Sequence, residues 1–215
     1  EGFYFKPRVD KDLLREHSEG IICLSACLAG AIPRKILNGD YSGAKTEALE
    51  LREIFGEDNF FLEIQNHFLD DDKPANEGLI KLSQEIGSPL VATNDAHYIT
   101  RSDAKAHDVL LAIQTGSTVD DENRMRFAND EFYLKNEEEM LALFPDHPEA
   151  IENSHKIAER CNVEFEFGEY HLPEFIPPEG MTNKDYHRNL CYDGLERRYG
   201  SEALQDESIY RTRLE

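Results

Sequence analysis

Asn94, Asp95 and His97 close the run Ser-Pro-Leu-Val-Ala-Thr-Asn-Asp-Ala-His at residues 88–97. A carboxylate and an imidazole one residue apart can serve one ion together. Their oxygen and nitrogen donors suit Zn2+, Mn2+ or Fe2+, and the spacing lets both project from one strand end. The same groups can also move protons. Alone, Asp-x-His is a short signal, because exposed Asp and His side chains are more often structural. The segment that carries it raises its weight. Leu90-Val91-Ala92 is apolar without polar alternation, as in a strand buried on both faces of a parallel sheet. The carboxyl ends of such strands are where barrels and open α/β sheets hold their sites.

Other residue types with ligand chemistry are weighed against plainer roles. Cys27 lies just past an apolar run at residues 21–25, among small residues; it is either a ligand or a small apolar filler. Cys23, inside that run, reads as filler. Glu63 and His67, in Phe-Phe-Leu-Glu-Ile-Gln-Asn-His, are weaker site neighbours together with Asn94, since Glu63 alternates with apolar residues and His67 ends a strand. His107 reads as a partly buried helix residue. His17, His147, His155, His171 and His187 read as surface or packing residues. No Gly-x-Ser-x-Gly, His-Glu-x-x-His, Gly-x-Gly-x-x-Gly or Walker loop occurs, nor a ligand-spaced cysteine pair. Three ligands are also fewer than a two-metal phosphoesterase needs, so further donors are expected outside this chain.

The elements that position these residues alternate. Strands are expected at 21–25, 59–67 and 88–97. Helices are expected at 10–17, 31–37, 42–55 with Ser42 as its cap, 75–86, and 103–114 capped by Ser102. In the last of these Ala106, Val109, Leu110 and Ile113 share one face. Asn136 caps a helix at 137–144, and 148–161 is helical. Residues 163–167 read as an edge strand, 173–180 as proline-rich, and 182–200 as a helix. Alternating strands and helices imply a parallel α/β sheet with right-handed crossovers. All three strands gather polar residues at their carboxyl ends, which favours part of a (β/α) barrel, with a Rossmann-like sheet second. The domain boundary is placed at 168, giving 1–168 and 169–215.

Composition bounds the function. With 44 acidic against 23 basic residues the net charge is −21, and no Lys/Arg stripe offers a phosphate-binding surface. DNA contacts are therefore expected mainly from elsewhere, or through a bound cation. No apolar run reaches the ~18–20 residues of a membrane helix, so no membrane contact is expected. Four scattered cysteines fit a reducing cytoplasm. The start at Glu1 and the final run at 209–215 read as parts of a longer protein.

With these residues assembled, the chain resembles the α-subunit family of bacterial DNA polymerase III, the C-family replicative polymerases. The likeness is strongest to their amino-terminal PHP (polymerase-and-histidinol-phosphatase) domain. It rests on residues 2–8, Leu24-Ser25-Ala26-Cys27-Leu28-Ala29-Gly30, Phe61-Leu62-Glu63-Ile64-Gln65-Asn66-His67 and residues 89–98. It continues through Ala106-His107-Asp108-Val109-Leu110-Leu111, Ile113-Gln114-Thr115-Gly116, Asn123-Arg124-Met125-Arg126-Phe127 and Phe132-Tyr133-Leu134-Lys135. Ala158-Glu159-Arg160-Cys161 and residues 168–173 complete it. The resemblance implies a distorted (β/α)7 barrel followed by a mainly helical connection towards a polymerase palm. It also implies up to three Zn2+, Mn2+ or Mg2+ ions at the barrel's carboxyl face, with Mg2+ at a polymerase site outside this chain. Cys27 matches the family's ligand cysteine, and Asp95 and His97 match its Asp-x-His. The family's opening His-x-His and its catalytic palm aspartates are not in this sequence. Two functions follow: a metal-dependent phosphoesterase, such as a 3′–5′ exonuclease, or an inactive module that stabilises the polymerase. Implied partners are the remaining α-subunit domains, a proofreading exonuclease subunit, other replisome proteins and DNA.

Overall fold

Three short strands form a parallel sheet in the order β1-β2-β3. They are β1 (Cys23–Leu24), β2 (Phe60–Ile64) and β3 (Leu90–Ala92). The computed structural model describes residues 6–170, 172–205 and 209–214. The aromatic residues at 3–5 and His171 lie outside the described residues. The register pairs Cys23 with Phe60, Leu62 with Leu90 and Ile64 with Ala92. Parallel pairing demands helical crossovers, and they are present: α2 (Ala31–Leu37) and α3 (Tyr41–Phe55) join β1 to β2, and α4 (Asp72–Ile86) joins β2 to β3. Every residue of β2 is buried, as a central strand covered on both faces requires. Among the described residues the sheet has three strands, an α/β arrangement without a closed barrel.

Chain chemistry explains the boundaries. Asp40, not Ser42, caps α3: its carboxylate accepts the Gly43 N–H at 2.9 Å, and Ser42 Oγ donates to it. An ionised carboxylate two residues earlier outcompetes the hydroxyl. Likewise Thr100 and Asp103, rather than Ser102, form the capping box before α5 (Ala104–Gln114). Asn136 caps α6 (Glu137–Leu143) by accepting the Glu139 N–H at 2.9 Å, as its position predicts. Gly87 ends α4 in the left-handed region at φ 70°, where a side chain is strained.

Helices α2, α3 and α4 pack with the sheet around one apolar core that includes Ile32, Ala44, Ala48, Phe60, Leu62 and Leu79. α1 (Lys11–Glu16) is tied to α3 by charge, with Lys11 Nζ at 2.6 Å from Glu47 and Arg15 at 2.7 Å from Glu50. α7 (Pro148–Arg160) lies on β3, where Asn153 Nδ2 donates to the Leu90 carbonyl at 2.8 Å. Gly78 of α4 lies directly against Ile36 of α2. A methyl group built there would stand 2.4 Å from Ile36 Cγ2. Gly78→Ala is therefore expected to destabilise the fold by about 1–3 kcal/mol through overpacking, despite alanine's better helix propensity. Urea unfolding of the variant checks this, and an unchanged or raised midpoint would show that α2 and α4 can part freely.

Two expectations change here. Val109, Leu110 and Ile113 do share a face of α5, but it points to solvent, while Leu111 and Ala112 are buried. The helix's rotation is set by polar and aromatic contacts on the opposite side. Arg124 grips Asp108 through two bonds of 2.6 and 2.5 Å, and His107 meets Phe127 at 4.8 Å between ring centroids. Residues 163–167 form no strand: they carry no ladder partner, and Val163, Phe165 and Phe167 are exposed. An edge strand needs a neighbour to complete its hydrogen bonds, and none is offered among the described residues.

The chain divides into two compact units, Glu1–Asn162 and Val163–Glu215. The second holds α8 (Asn183–Tyr199), capped by Thr182, and α9 (Ile209–Leu214). Tyr199 stacks on Tyr210 at 4.4 Å. His187 and Cys191 are neighbours one turn apart on α8, with Nε2 and Sγ at 3.6 Å.

Candidate functional site

The carboxyl ends of the three parallel strands gather Ser25, Glu63, Gln65, Thr93 and the 94–97 turn. Ser25, one residue past β1, accepts the Glu63 N–H at 2.8 Å with its hydroxyl. Glu63 is itself buried, and its carboxylate accepts from Thr93 Oγ1 and from Gln65 Nε2 at 3.1 Å. One carboxylate oxygen of Glu63, Oε1, is thus engaged by the polar network at the strand ends. Cys23 packs against the same region, and burial pushes its thiol up to about 11, with the negative charge of Glu63 adding to the shift. It is neutral at physiological pH, consistent with apolar filler.

His67 is 2% exposed and stacks flat on Phe132 at 4.6 Å. Its backbone N–H donates to Asp72 Oδ2 at 2.7 Å and its carbonyl accepts from Asn129 at 2.7 Å. Burial lowers the imidazole below its ordinary range, so the ring is neutral near pH 7. Nε2 accepts the Asp95 backbone N–H at 3.1 Å, which places the ring proton on Nδ1. His67 therefore buttresses the Asp95 backbone, with Nε2 engaged rather than free for an ion.

Asp95 and His97 stand together. Asp95 Oδ1 lies 3.1 Å from His97 Nε2, and both side chains are partly open to solvent. Two donors at that separation can share one ion at ligand distances of about 2.0–2.2 Å. The His97 ring is seated by Phe127, edge-on at 4.6 Å, and by His107 at 5.4 Å. Its backbone N–H donates to the Phe132 carbonyl at 2.8 Å. Asn94 does not face an ion: its amide donates to the Tyr133 carbonyl at 2.6 Å and accepts from Lys135 Nζ at 3.3 Å. Cys27 is exposed and lines a small crevice with Glu63, Gln65 and Asn76. Among the described residues no three His, Cys, Asp or Glu side chains converge as ligands of one ion. The donor set on hand fits two ligands of a metal, not a complete shell.

Reasoning from residue types missed what surrounds the pair. Phe127, Phe132 and Lys135 carry no ligand chemistry of the kind sought and enter only within the segments that bear the family resemblance. Yet the Lys135 side chain is 2% exposed. The available signal was local: Phe-Tyr-Leu-Lys is a short extended run in a polar region, and it forms an isolated parallel bridge pairing Tyr98 with Tyr133.

Residues 1–67 match the family described as PHP domain. DNA polymerase III subunit alpha of Borreliella burgdorferi is 45% identical over 214 residues, 98% of this chain and 19% of that protein. The subunits of Treponema pallidum and Thermus aquaticus are each 45% identical, over 98% of this chain and 18% of theirs. The chain thus spans about a fifth of the length of the relatives it matches. No helix among the described residues is long and apolar enough to cross a membrane. Along nearly its whole length, PHP-domain match included, the chain is a homologue of one segment of DNA polymerase III subunit alpha.

Proposed function

We propose that the chain is the PHP-bearing portion of a cytoplasmic replicative polymerase that carries out DNA-directed DNA synthesis when full-length. Residues 1–168 form part of a distorted (β/α)7 barrel, and 169–215 lead towards the palm. Cys27, Asp95 and His97 are metal ligands, completed by donors beyond the described residues. The observation that carries this reading is the 3.1 Å approach of Asp95 Oδ1 and His97 Nε2 at the carboxyl end of a parallel sheet. Bound Zn2+ or Mn2+ would supply charge stabilisation at a phosphate and an activated water. The chain's own residues present the carboxylate and imidazole and hold their backbone. The partners are the remaining α-subunit domains, and DNA enters mainly through them, since a −21 surface repels a phosphodiester strand. Elemental analysis of the full-length protein after dialysis tests the reading: bound zinc or manganese is expected, and a metal-free protein that takes up neither would overturn it.

One observation favours a second reading, in which the PHP part stabilises the polymerase and docks a proofreading exonuclease without turning over phosphodiesters. Cys27 is not gathered with the Asp95–His97 pair among the described residues. Metal uptake without hydrolysis of single-stranded DNA would separate the two readings.

A further inference from the structure

We infer that Lys135 is a positioning residue for Asp95 and His97, acting through Asn94; the inference rests on the metal-ligand reading above. A lysine removed from water needs a reason, because burying an ammonium is costly unless it is paired. Lys135 Nζ sits 3.3 Å from the Glu131 carboxylate, donates to the Glu131 carbonyl, and lies 4.3 Å from the Tyr133 ring centroid. Neutralising Glu131 does not explain it, since Arg101 already meets that carboxylate at 2.5 Å. The contact that reaches the Asp95–His97 turn is the one to Asn94 Oδ1, at 3.3 Å across 41 residues of chain.

That contact completes a clamp. Asn94 donates its amide N–H to the Tyr133 carbonyl and accepts from Lys135 at its amide oxygen, so both ends of one side chain are held by the stretch 132–135. Three residues later His97 is fastened to the same stretch, through its N–H to the Phe132 carbonyl, and the Leu134 N–H returns to the Tyr98 carbonyl at 3.0 Å. Between them Asp95 is held from behind by His67. Residues 94, 95 and 97 are therefore each anchored, while the Asp95 and His97 side chains stay partly open. This is how an outer layer orients ligands: it fixes the backbone and leaves the donor atoms free.

A lysine that only stabilised the fold would act independently of Asn94; a positioning residue would not. The test is a double-mutant cycle in the full-length protein with Lys135→Met, Asn94→Ala and the pair. Two readouts are taken: Co2+ affinity from visible absorption, and the ring signals of His97 by nuclear magnetic resonance in the metal-free protein. Each single variant is expected to weaken Co2+ binding about 10–100-fold. The double variant loses no more than the worse single one, and the His97 signals move alike in all three. Lys135→Arg, which keeps donor and charge, restores both readouts. Additive losses, or unmoved His97 signals in a folded Lys135→Met protein, would overturn the inference. Should Lys135→Met not fold, Asn94→Ala alone must still move the His97 ring. If the wild-type protein binds no Co2+, the metal reading fails and the ring signals alone decide the positioning role.

Discussion

Replacing Leu62 with alanine is expected to lower the stability of the sheet-bearing unit by about 2–5 kcal/mol, a loss at the upper end of what a single truncation produces. Leu62 is fully buried at the middle of β2, the strand that bonds to both neighbours. Its N–H donates to the Pro89 carbonyl at 2.9 Å, so its backbone is pinned and cannot shift to refill the space. Truncation forfeits the transfer of the lost carbons and leaves a cavity in the buried core that Leu62 shares with Ile32, Ala44, Ala48 and Leu79. Unfolding in urea, followed by a probe in residues 1–162, checks the size. A loss below about 1 kcal/mol would mean that the core collapses around the gap, and that the sheet is looser than its burial indicates. Because β2 leads into Glu63 and His67, the same variant should also loosen the polar network at the strand ends.

The second large effect concerns the metal pair. In the full-length protein, His97→Ala and Asp95→Ala are each expected to cut Zn2+ or Mn2+ affinity by more than the ~10–100-fold that outer-layer partners command, since each removes a donor atom itself. His67→Leu is the informative contrast. It keeps the stacked volume against Phe132 but removes the acceptor for the Asp95 N–H, so its loss should fall within the outer-layer range. Cys27→Ala separates the remaining assignment: unchanged metal content would remove Cys27 from the ligand set and leave Asp95 and His97 in place. Equal metal content in wild-type and His97→Ala protein would sink the pair as well.

Chain order and pattern were enough to read the parallel α/β class, the helix–sheet alternation, and the meeting of Asp95 and His97. The reasons are local. Apolar runs without alternation mark strands covered on both faces, glycine and capping residues mark helix ends, and one-residue spacing at a strand end brings two side chains to one place. Caps were read less well where two candidates stood side by side, as with Asp40 and Ser42, because the winner depends on which oxygen reaches the free N–H.

Pairings between distant segments were not legible. Which face of α5 is buried depends on Arg124 reaching Asp108 across 16 residues. His67 reads as a metal neighbour until its Nε2 is seen to be occupied by the Asp95 N–H, 28 residues on. The closing of Asn94 and Tyr133 around Lys135 leaves no mark along the chain. The sequence by itself determined the strand that leads into Asp95 and His97, because burial pattern and spacing are properties of neighbours along the chain. Only the tertiary structure decided that His67 and Asn94 support that pair, and that Cys27 stays apart from it among the described residues. Those outcomes turn on hydrogen bonds and clearances between residues that meet only after the sheet has formed.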